Sequence, residues 1–284
     1  MVTAGAEMQG WRLRIEHVTS YRYAHSARAS YNEVRLVPQT TPRQTTLEAR
    51  VTTVPAAPQF RYRDYWGTEV VAFEVPGPHE SLEVRSTALV EARPARPVPG
   101  AGWARLVAEA DRFAELLAPS AHTAPDRGLR EAACSLRRSD PVATVEAVVD
   151  WVNGNLAYVP GVTGVHTPAV DAWHARSGVC QDFAHLALTV LRLLGVPARY
   201  TSGYLHPDAG AAPGTDAVGE SHAWVEVWTG GWWGIDPTNQ ARAGERHVVV
   251  AHGRDYGDVP PLKGIFAGSA EVDMSVEVLV SRLA

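Results

Sequence analysis

The first third of the chain alternates between apolar and polar positions, as half-buried β-strands do. From residue 11 to 23 the odd positions carry Trp, Leu, Ile, His, Thr and Tyr, and the even positions are mainly Arg and Glu. Similar runs follow at residues 31–37, 45–54, 59–65, 68–75 and 81–91, separated by proline and glycine clusters. Six such runs predict an antiparallel β-sandwich over residues 11–92.

The pattern changes after a proline-rich stretch at residues 93–102. Pro94, Pro97 and Pro99 disfavour both helix and central strand, so this stretch is predicted to be a linker. Beyond it, apolar residues recur every three or four positions, which predicts helices at 103–117, 126–137 and 141–154. We expect residues 1–10 to be flexible and residues 103–284 to form a second domain.

The fourth predicted helix begins at Cys180 and ends at Gly195, with apolar residues at 183, 184, 187, 190, 191 and 194. The alternating pattern then returns and predicts strands at 198–205, 222–228, 232–236, 246–252 and 271–281. Residues 207–219 are rich in Gly, Ala, Pro and Asp and are expected to form a mobile loop. Helices followed by an antiparallel sheet predict an α+β fold.

The composition narrows the function classes. The 284 residues are 45% hydrophobic and 20% charged, which is typical of a globular protein. A net charge of −5 argues against nucleic acid and anionic membranes as partners. Two cysteines cannot make a disulfide scaffold, and no signal peptide or long apolar span is apparent, so a cytoplasmic protein is expected.

Cys180 is a candidate nucleophile because it opens a helix. The N–H groups of a helix N-terminus stabilise a thiolate and can also bind an oxyanion. On its own, the residue is more simply interpreted as a buried structural cysteine, which is common.

His222 and Asp236 lie on two strands joined by Thr229, Gly230 and Gly231. A three-residue loop pairs position 228 with 232, which places His222 and Asp236 on one face, about 7–8 Å apart across a diagonal. A two-residue loop would place them on opposite faces. Together with Cys180 they predict a Cys–His–Asp triad. In such a triad the histidine takes the thiol proton, and the aspartate orients the histidine ring and fixes its tautomer.

Four ordered segments carry a resemblance to a known family. RSGVCQDFAH at 176–185, GVPARYTSGY at 195–204, SHAWVEV at 221–227 and GIDPTN at 234–239 resemble the bacterial transglutaminase-like superfamily. YRY at 21–23, SYNEVRL at 30–36 and HGRDYGDVPP at 252–261 resemble one branch with a β-rich N-terminal region. The resemblance implies a papain-like core, with helices packed on an antiparallel sheet, and Cys180, His222 and Asp236 as its triad.

Other residues have two interpretations each. Gln181 and Asp182 match the family motif and are candidates for orienting the site or binding the oxyanion. Asp182 could cap the helix or accept from Arg199, and a structural role is favoured for it. Tyr158 is a candidate oxyanion donor, although a core role is the simpler interpretation. Trp224 and Trp173 are candidates for the substrate cleft. The cysteine and histidine spacing does not match a zinc site, and neither a metal nor a cofactor is expected.

We expect a cysteine peptidase or amidase that acts on a protein or peptide substrate through a thioester. The alternatives are acyl transfer from glutamine to an amine, as in a transglutaminase, and a silent binding module with a vestigial triad. The oligomeric state and the physiological substrate do not follow from the sequence.

Overall fold

Residues 11–92 supply strands to two facing sheets. The computed structural model describes residues 10–268 and 272–284, so most of the predicted flexible N-terminus (residues 1–10) lies outside the described residues. The six predicted strands are present as β1 (Trp11–Ala27), β2 (Ser30–Val34), β3 (Gln44–Val54), β4 (Gln59–Arg63), β5 (Glu69–Val75) and β6 (His79–Ala92). Strands β1, β6 and β3 share one sheet, and β2, β5 and β4 share the other. Tyr23, Val34, Phe73 and Leu82 are among the buried residues between them.

Helices follow the proline-rich stretch. They are α1 (Trp103–Ala108), α2 (Ala114–Leu117), α3 (Arg127–Cys134), α4 (Pro141–Asn155), α5 (Ala169–Ala175) and α6 (Cys180–Leu193). Asp126 and Asp140 cap α3 and α4 by accepting from the third amide beyond them. No helix in the described part of the chain is long and apolar enough to cross a membrane.

The remaining strands carry two of the three catalytic candidates, His222 on the fourth of them and Asp236 on the fifth. They are β7 (Ala157–Tyr158), β8 (Ser177–Gly178), β9 (Ala198–Leu205), β10 (Thr215–Trp228), β11 (Trp232–Asp236), β12 (Ala241–Arg242), β13 (His247–Gly253), β14 (Leu262–Phe266) and β15 (Val272–Arg282). Helix α6 packs on β9 and β10. The fold is therefore α+β, as predicted, with helices on an antiparallel sheet.

Three local predictions need correction. The helix expected at 103–117 is broken into α1, a 3₁₀ turn and α2. Phe113, at the end of the 3₁₀ turn, contacts the rings of Trp228 and Trp232 at 4.9 and 5.6 Å. The loop expected at 207–219 ends early, since Thr215 to Gly219 pair with β15. Helix α5 and the strands at 157–158, 177–178, 241–242 and 262–266 have no counterpart among the predicted elements.

The last strands return to the N-terminal sheets. Strand β15 lies between β1 and β10, and β14 pairs with β2. A nine-stranded sheet therefore contains strands from both ends of the chain and from its centre, in the order β12-β11-β10-β15-β1-β6-β3. Strand β9 also pairs with β10, and β13 pairs with β9. The strand predicted at 271–281 is β15, and Glu271 lies outside the described residues. The division of the chain at residues 93–102 stays a prediction, and the main sheet runs across it.

The principal hydrophobic core also crosses that division. Leu13 and Ile15 of β1 belong to the same buried cluster as Leu186 and Val190 of α6. Burial of such side chains contributes about 1.5–3 kcal/mol each. The N-terminal strands thus help to hold α6, and with it Cys180, in place.

Candidate active site

Cys180 is the first residue of α6, and the residues around it are arranged to start the helix there. Oδ2 of the buried Asp182 accepts from the Val179 amide at 2.7 Å and from the Thr163 hydroxyl at 2.6 Å. A Cβ at Gly178 would lie 2.6 Å from the Asp182 side chain, so only glycine leaves room for this cap. Asp182 therefore caps the helix, and the alternative partner Arg199 bonds instead to Glu226.

The hairpin of β10 and β11 brings His222 and Asp236 together. Trp228 pairs with Trp232 across a three-residue turn, which is the register that places the two residues on one face. Nε2 of His222 lies 2.7 Å from Oδ2 of Asp236. The predicted contact is thus present in the structure.

Asp236 is completely buried, and its carboxylate is surrounded by hydrogen-bond donors. The amides of Thr238 and Asn239 donate to Oδ1 at 2.9 and 3.2 Å, and Nδ2 of Asn239 donates to Oδ2 at 2.7 Å. Burial alone would raise the pKa of Asp236, but the hydrogen bonds with His222, His247 and Asn239 hold it well below its usual range. The carboxylate is therefore charged and its orientation is fixed.

His222 links that carboxylate to the cysteine. Burial would lower the pKa of His222, but hydrogen bonds with Asp236 and Cys180, together with their charges, raise it to about 10. Because Nε2 is bound to Asp236, Nδ1 is the ring nitrogen available to Cys180. The three residues form a continuous Cys–His–Asp chain, with Cys180 partly accessible.

A cavity of about 500 Å³ opens over Cys180 and His222. Tyr158 and Gln181 line it, together with residues of β1 and β15. The amide of Cys180 lies in the first turn of α6, where a helix offers no carbonyl partner, so it is available to a bound oxygen. The arrangement can hold a carbonyl carbon beside the sulfur and a leaving group beside the imidazole.

Gln181 and Tyr158, the two remaining site candidates beside the triad and Asp182, differ in what their side chains contact. The side chain of Gln181 donates from Nε2 to the Gly164 carbonyl at 3.4 Å and thus ties the loop after β7 to α6. Tyr158 is 45% exposed, lines the cavity and lies with its ring 6.3 Å from that of Phe183. Its position suits an oxyanion donor, and that role stays a prediction.

The two tryptophans expected in the cleft lie elsewhere. Trp224 is fully buried. Alternation on β10 puts it on the same face as His222, and its ring lies 6.1 Å from that of His222 and 5.2 Å from that of His247. Trp173 packs on Trp151 at 4.8 Å and under the guanidinium of Arg176 at 3.5 Å. Neither lines the cavity over Cys180, so the cleft assignment of both residues is wrong.

Sequence reasoning missed His247, which begins β13. Its Nε2 lies 3.4 Å from Oδ2 of Asp236, and its Nδ1 accepts from the Gly244 amide at 3.3 Å. Burial lowers the pKa of His247, so the ring is neutral at neutral pH and donates from Nε2. No spacing rule pairs a histidine with a carboxylate 11 positions earlier; only the packing of β13 beside β9 makes the contact.

His222, Asp236 and His247 also form the one set of side chains in the described ranges that could hold a metal ion, with ligand atoms within 4.8 Å of one another. In this structure they are joined by hydrogen bonds of 2.7 and 3.4 Å. Two imidazoles and a carboxylate are ligands that suit zinc. Asp236 and His247 are both buried, however, and their polar atoms are already used in hydrogen bonds with each other and with His222.

Comparison with known proteins gives the family and the fold of the chain. Residues 131–237 match the transglutaminase-like superfamily, and residues 13–91 match the bacterial transglutaminase-like N-terminal region. A crystal structure of a proposed cysteine protease from Cytophaga hutchinsonii superposes with a TM-score of 0.78 at 22% identity, covering 97% of this chain and 91% of that one. At that identity the likeness concerns the fold.

Two relatives extend the comparison. An uncharacterised protein of Mycobacterium leprae is 46% identical over 278 residues, which is 96% of this chain and all of the relative. A protein-glutamine gamma-glutamyltransferase of Pseudomonas aeruginosa is 35% identical over 109 residues, which is 36% of this chain and 16% of the relative. The chain belongs to the transglutaminase-like superfamily and carries the N-terminal region of its bacterial branch.

Proposed function

We propose that this protein is a thiol-dependent amide hydrolase, a cysteine peptidase or amidase acting on a peptide or protein. The observation that carries the proposal is the position of His222, which bonds to both Cys180 and Asp236 at the floor of a cavity of about 500 Å³. A structural cysteine would need neither the histidine nor the cavity.

The geometry supports a two-step reaction. The thiol proton passes to Nδ1 of His222, and the Cys180 sulfur attacks the carbonyl carbon while the oxygen accepts from the Cys180 amide. Imidazolium then protonates the leaving amine as the C–N bond breaks, which leaves a thioester. In the second step His222 takes a proton from water, and the resulting hydroxide attacks the thioester. The C–S bond then breaks, the acid is released, and His222 returns the proton to the Cys180 sulfur. Asp236 stabilises the imidazolium in both steps.

The walls of the site favour water over an amine as the second nucleophile. Cross-linking needs an amine tunnel that excludes water, and tryptophans are the natural walls for one. Among the described residues, the cavity over Cys180 is lined by no tryptophan. Trp228 contacts Phe113, and Trp232 lies under the guanidinium of Arg199 at 4.4 Å.

Acyl transfer from glutamine to an amine is the second candidate. The similarity to the gamma-glutamyltransferase of Pseudomonas aeruginosa favours it, although that match spans 36% of this chain. Both reactions share the thioester, so the first half of the mechanism does not separate them.

Partition of the thioester separates the two candidates. An activated ester that acylates Cys180 is supplied with increasing primary amine, and acid and amide products are quantified. For a hydrolase we expect the acid to remain the main product at low millimolar amine. Dominant amide at that concentration would establish transfer. Equal turnover by wild type and Cys180→Ala would contradict both candidates.

A further inference from the structure

The N-terminal half and the last strand supply one wall of the cavity over Cys180. Strands β1 and β15 are paired there, with Tyr21 opposite Met274, Thr19 opposite Val276 and His17 opposite Val278. Alternate residues of a strand share a face, and all six line the cavity. The wall is thus a patch of sheet rather than a loop.

This wall carries no charge at neutral pH. None of the described residues lining the cavity is Asp, Glu, Lys or Arg. The ring of His17 bonds at 3.0 Å to the hydroxyl groups of Tyr204 and Thr19, and burial lowers its pKa to about 4. Burial, with Tyr23 and Tyr256 nearby, raises the pKa of Tyr21 to about 12. A charged group packed against this wall would lose its hydration without gaining a counter-ion from the wall.

Apolar side chains on this wall are open to solvent. Met274 is 61% exposed and Val276 is 46% exposed, although both lie in a concave site. Exposed apolar surface in a cleft is typical of ligand sites. The flexible thioether of Met274 can also adapt to groups of different shape.

A second cavity, of about 400 Å³, indicates which part of the substrate meets this wall. It shares Tyr158, Gly219 and His222 with the first cavity but is not lined by Cys180. The leaving amine takes its proton from His222, whereas the acyl carbon bonds to Cys180. The amine therefore extends toward the second cavity, and the acyl group occupies the first.

Resting on the hydrolase function proposed above, we propose that the preferred substrates are amides whose acyl group bears a large uncharged apolar side chain. That side chain packs against Met274 and Val276, and the wall selects it by burying apolar surface and by offering no counter-ion to a charged one.

N-acetyl aminoacyl coumarin amides of leucine, phenylalanine, lysine and glutamate test this preference directly. We expect kcat/KM for the leucine and phenylalanine amides to exceed that for the lysine and glutamate amides by at least about tenfold. The activity must disappear in Cys180→Ala. Cys180-dependent cleavage without an apolar preference would overturn the inference and leave the hydrolase function intact. No Cys180-dependent cleavage of any of the four amides would overturn both.

Variants of one strand locate the preference. Met274→Glu should lower kcat/KM for the leucine amide by at least about tenfold and raise the ratio of lysine to leucine cleavage. Met274→Ala, which adds no charge, should reduce the apolar preference without favouring lysine. Ser275→Glu is the matched control, because it adds the same charge on the opposite face of β15 at an exposed position. Thermal unfolding confirms that each variant is folded. An unchanged profile in folded Met274→Glu, or an equal change in Ser275→Glu, would overturn the inference.

Discussion

His222 contacts both other members of the Cys–His–Asp chain. Its effect on Cys180 can be measured by comparing the reactivity of Cys180 with that of Cys134, the other cysteine of the protein. Cys134 is exposed, whereas Cys180 is only partly accessible. Accessibility alone would make Cys134 the faster thiol. The sulfur of Cys134 donates to the Arg130 carbonyl at 3.3 Å at the end of α3, with no histidine described beside it.

We therefore expect iodoacetamide to alkylate Cys180 at least about tenfold faster than Cys134, because a thiolate beside His222 at a helix N-terminus is the reactive form. Peptide mapping after brief labelling measures the two rates. His222→Ala should slow labelling of Cys180 and leave Cys134 unchanged. Equal rates at both cysteines in the wild type would contradict the proposed triad.

Asp236 makes the site dependent on pH. Its folded pKa is depressed, so its stabilising contribution is present above about pH 4 and is lost as pH falls through the folded value. The folded pKa of His222 is raised to about 10, so its contribution is complete below about pH 6.5 and is lost as pH rises through about 10. The pair stabilises the protein most between about pH 4 and 6.5.

Asp236→Asn should thus lower the free energy of unfolding most in that window, with a smaller difference on either side. Urea unfolding from pH 3 to 9 measures it. Amide cleavage should fall by about 10³–10⁴-fold, since the asparagine no longer stabilises the imidazolium. A stability difference that does not vary with pH would exclude the ion pair as its cause.

At the scale of elements, the start of α6 depends on a single carboxylate. Asp182 satisfies the Val179 amide and holds Thr163 of the loop after β7, and both contacts are lost together if the side chain is removed. Burial raises the pKa of Asp182, and its hydrogen bonds with Thr163 and Val179 oppose that shift.

Asp182→Ala should lower the free energy of unfolding by about 1–2 kcal/mol, the usual effect of losing a buried helix cap. Asp182→Asn keeps an oxygen that can accept from Val179 and should lose less than half as much. Thermal unfolding measures both. If alanine and asparagine were equally destabilising, the carboxylate charge rather than the cap would be the important feature.

At the scale of the whole molecule, β15 unites the two halves of the chain. It lies between β1 and β10, and its Val278 and Val280 belong to the same buried cluster as Leu13 and Leu186. If one half unfolded alone, it would expose the apolar core and the unpaired sheet edge of the other half to water.

We therefore expect one cooperative thermal transition, with calorimetric and van't Hoff enthalpies in agreement. A chain beginning at Ala101 should lack this transition, because β15 loses β1 and its apolar residues are exposed at a sheet edge. Two separate transitions in the full chain, or a stable shortened chain, would show that the halves fold independently.

The sequence by itself determined the features that depend on near neighbours. Alternation and helical spacing placed the six N-terminal strands and α6, and the loop of Thr229, Gly230 and Gly231 set the register that brings His222 to Asp236. The start of α6 at Cys180 followed from the helical spacing of the apolar residues after it and from Gly195 at its end. The family resemblance rests on the same local segments.

Contacts between distant segments were decided only by the tertiary structure. Residues 215–219 are a strand because β15 pairs with them, and His247 reaches Asp236 because β13 packs beside β9. Trp224 shares a strand face with His222 but is fully buried against Ala243 and Val249, although its sequence position also allowed a place in the cleft. Local patterns report how a residue is oriented within its own element, whereas the partner of that element is chosen by burial and pairing across the whole chain. The wall formed by Tyr21 and Met274 is such a choice, since their 253 positions of separation leave no local pattern to predict it.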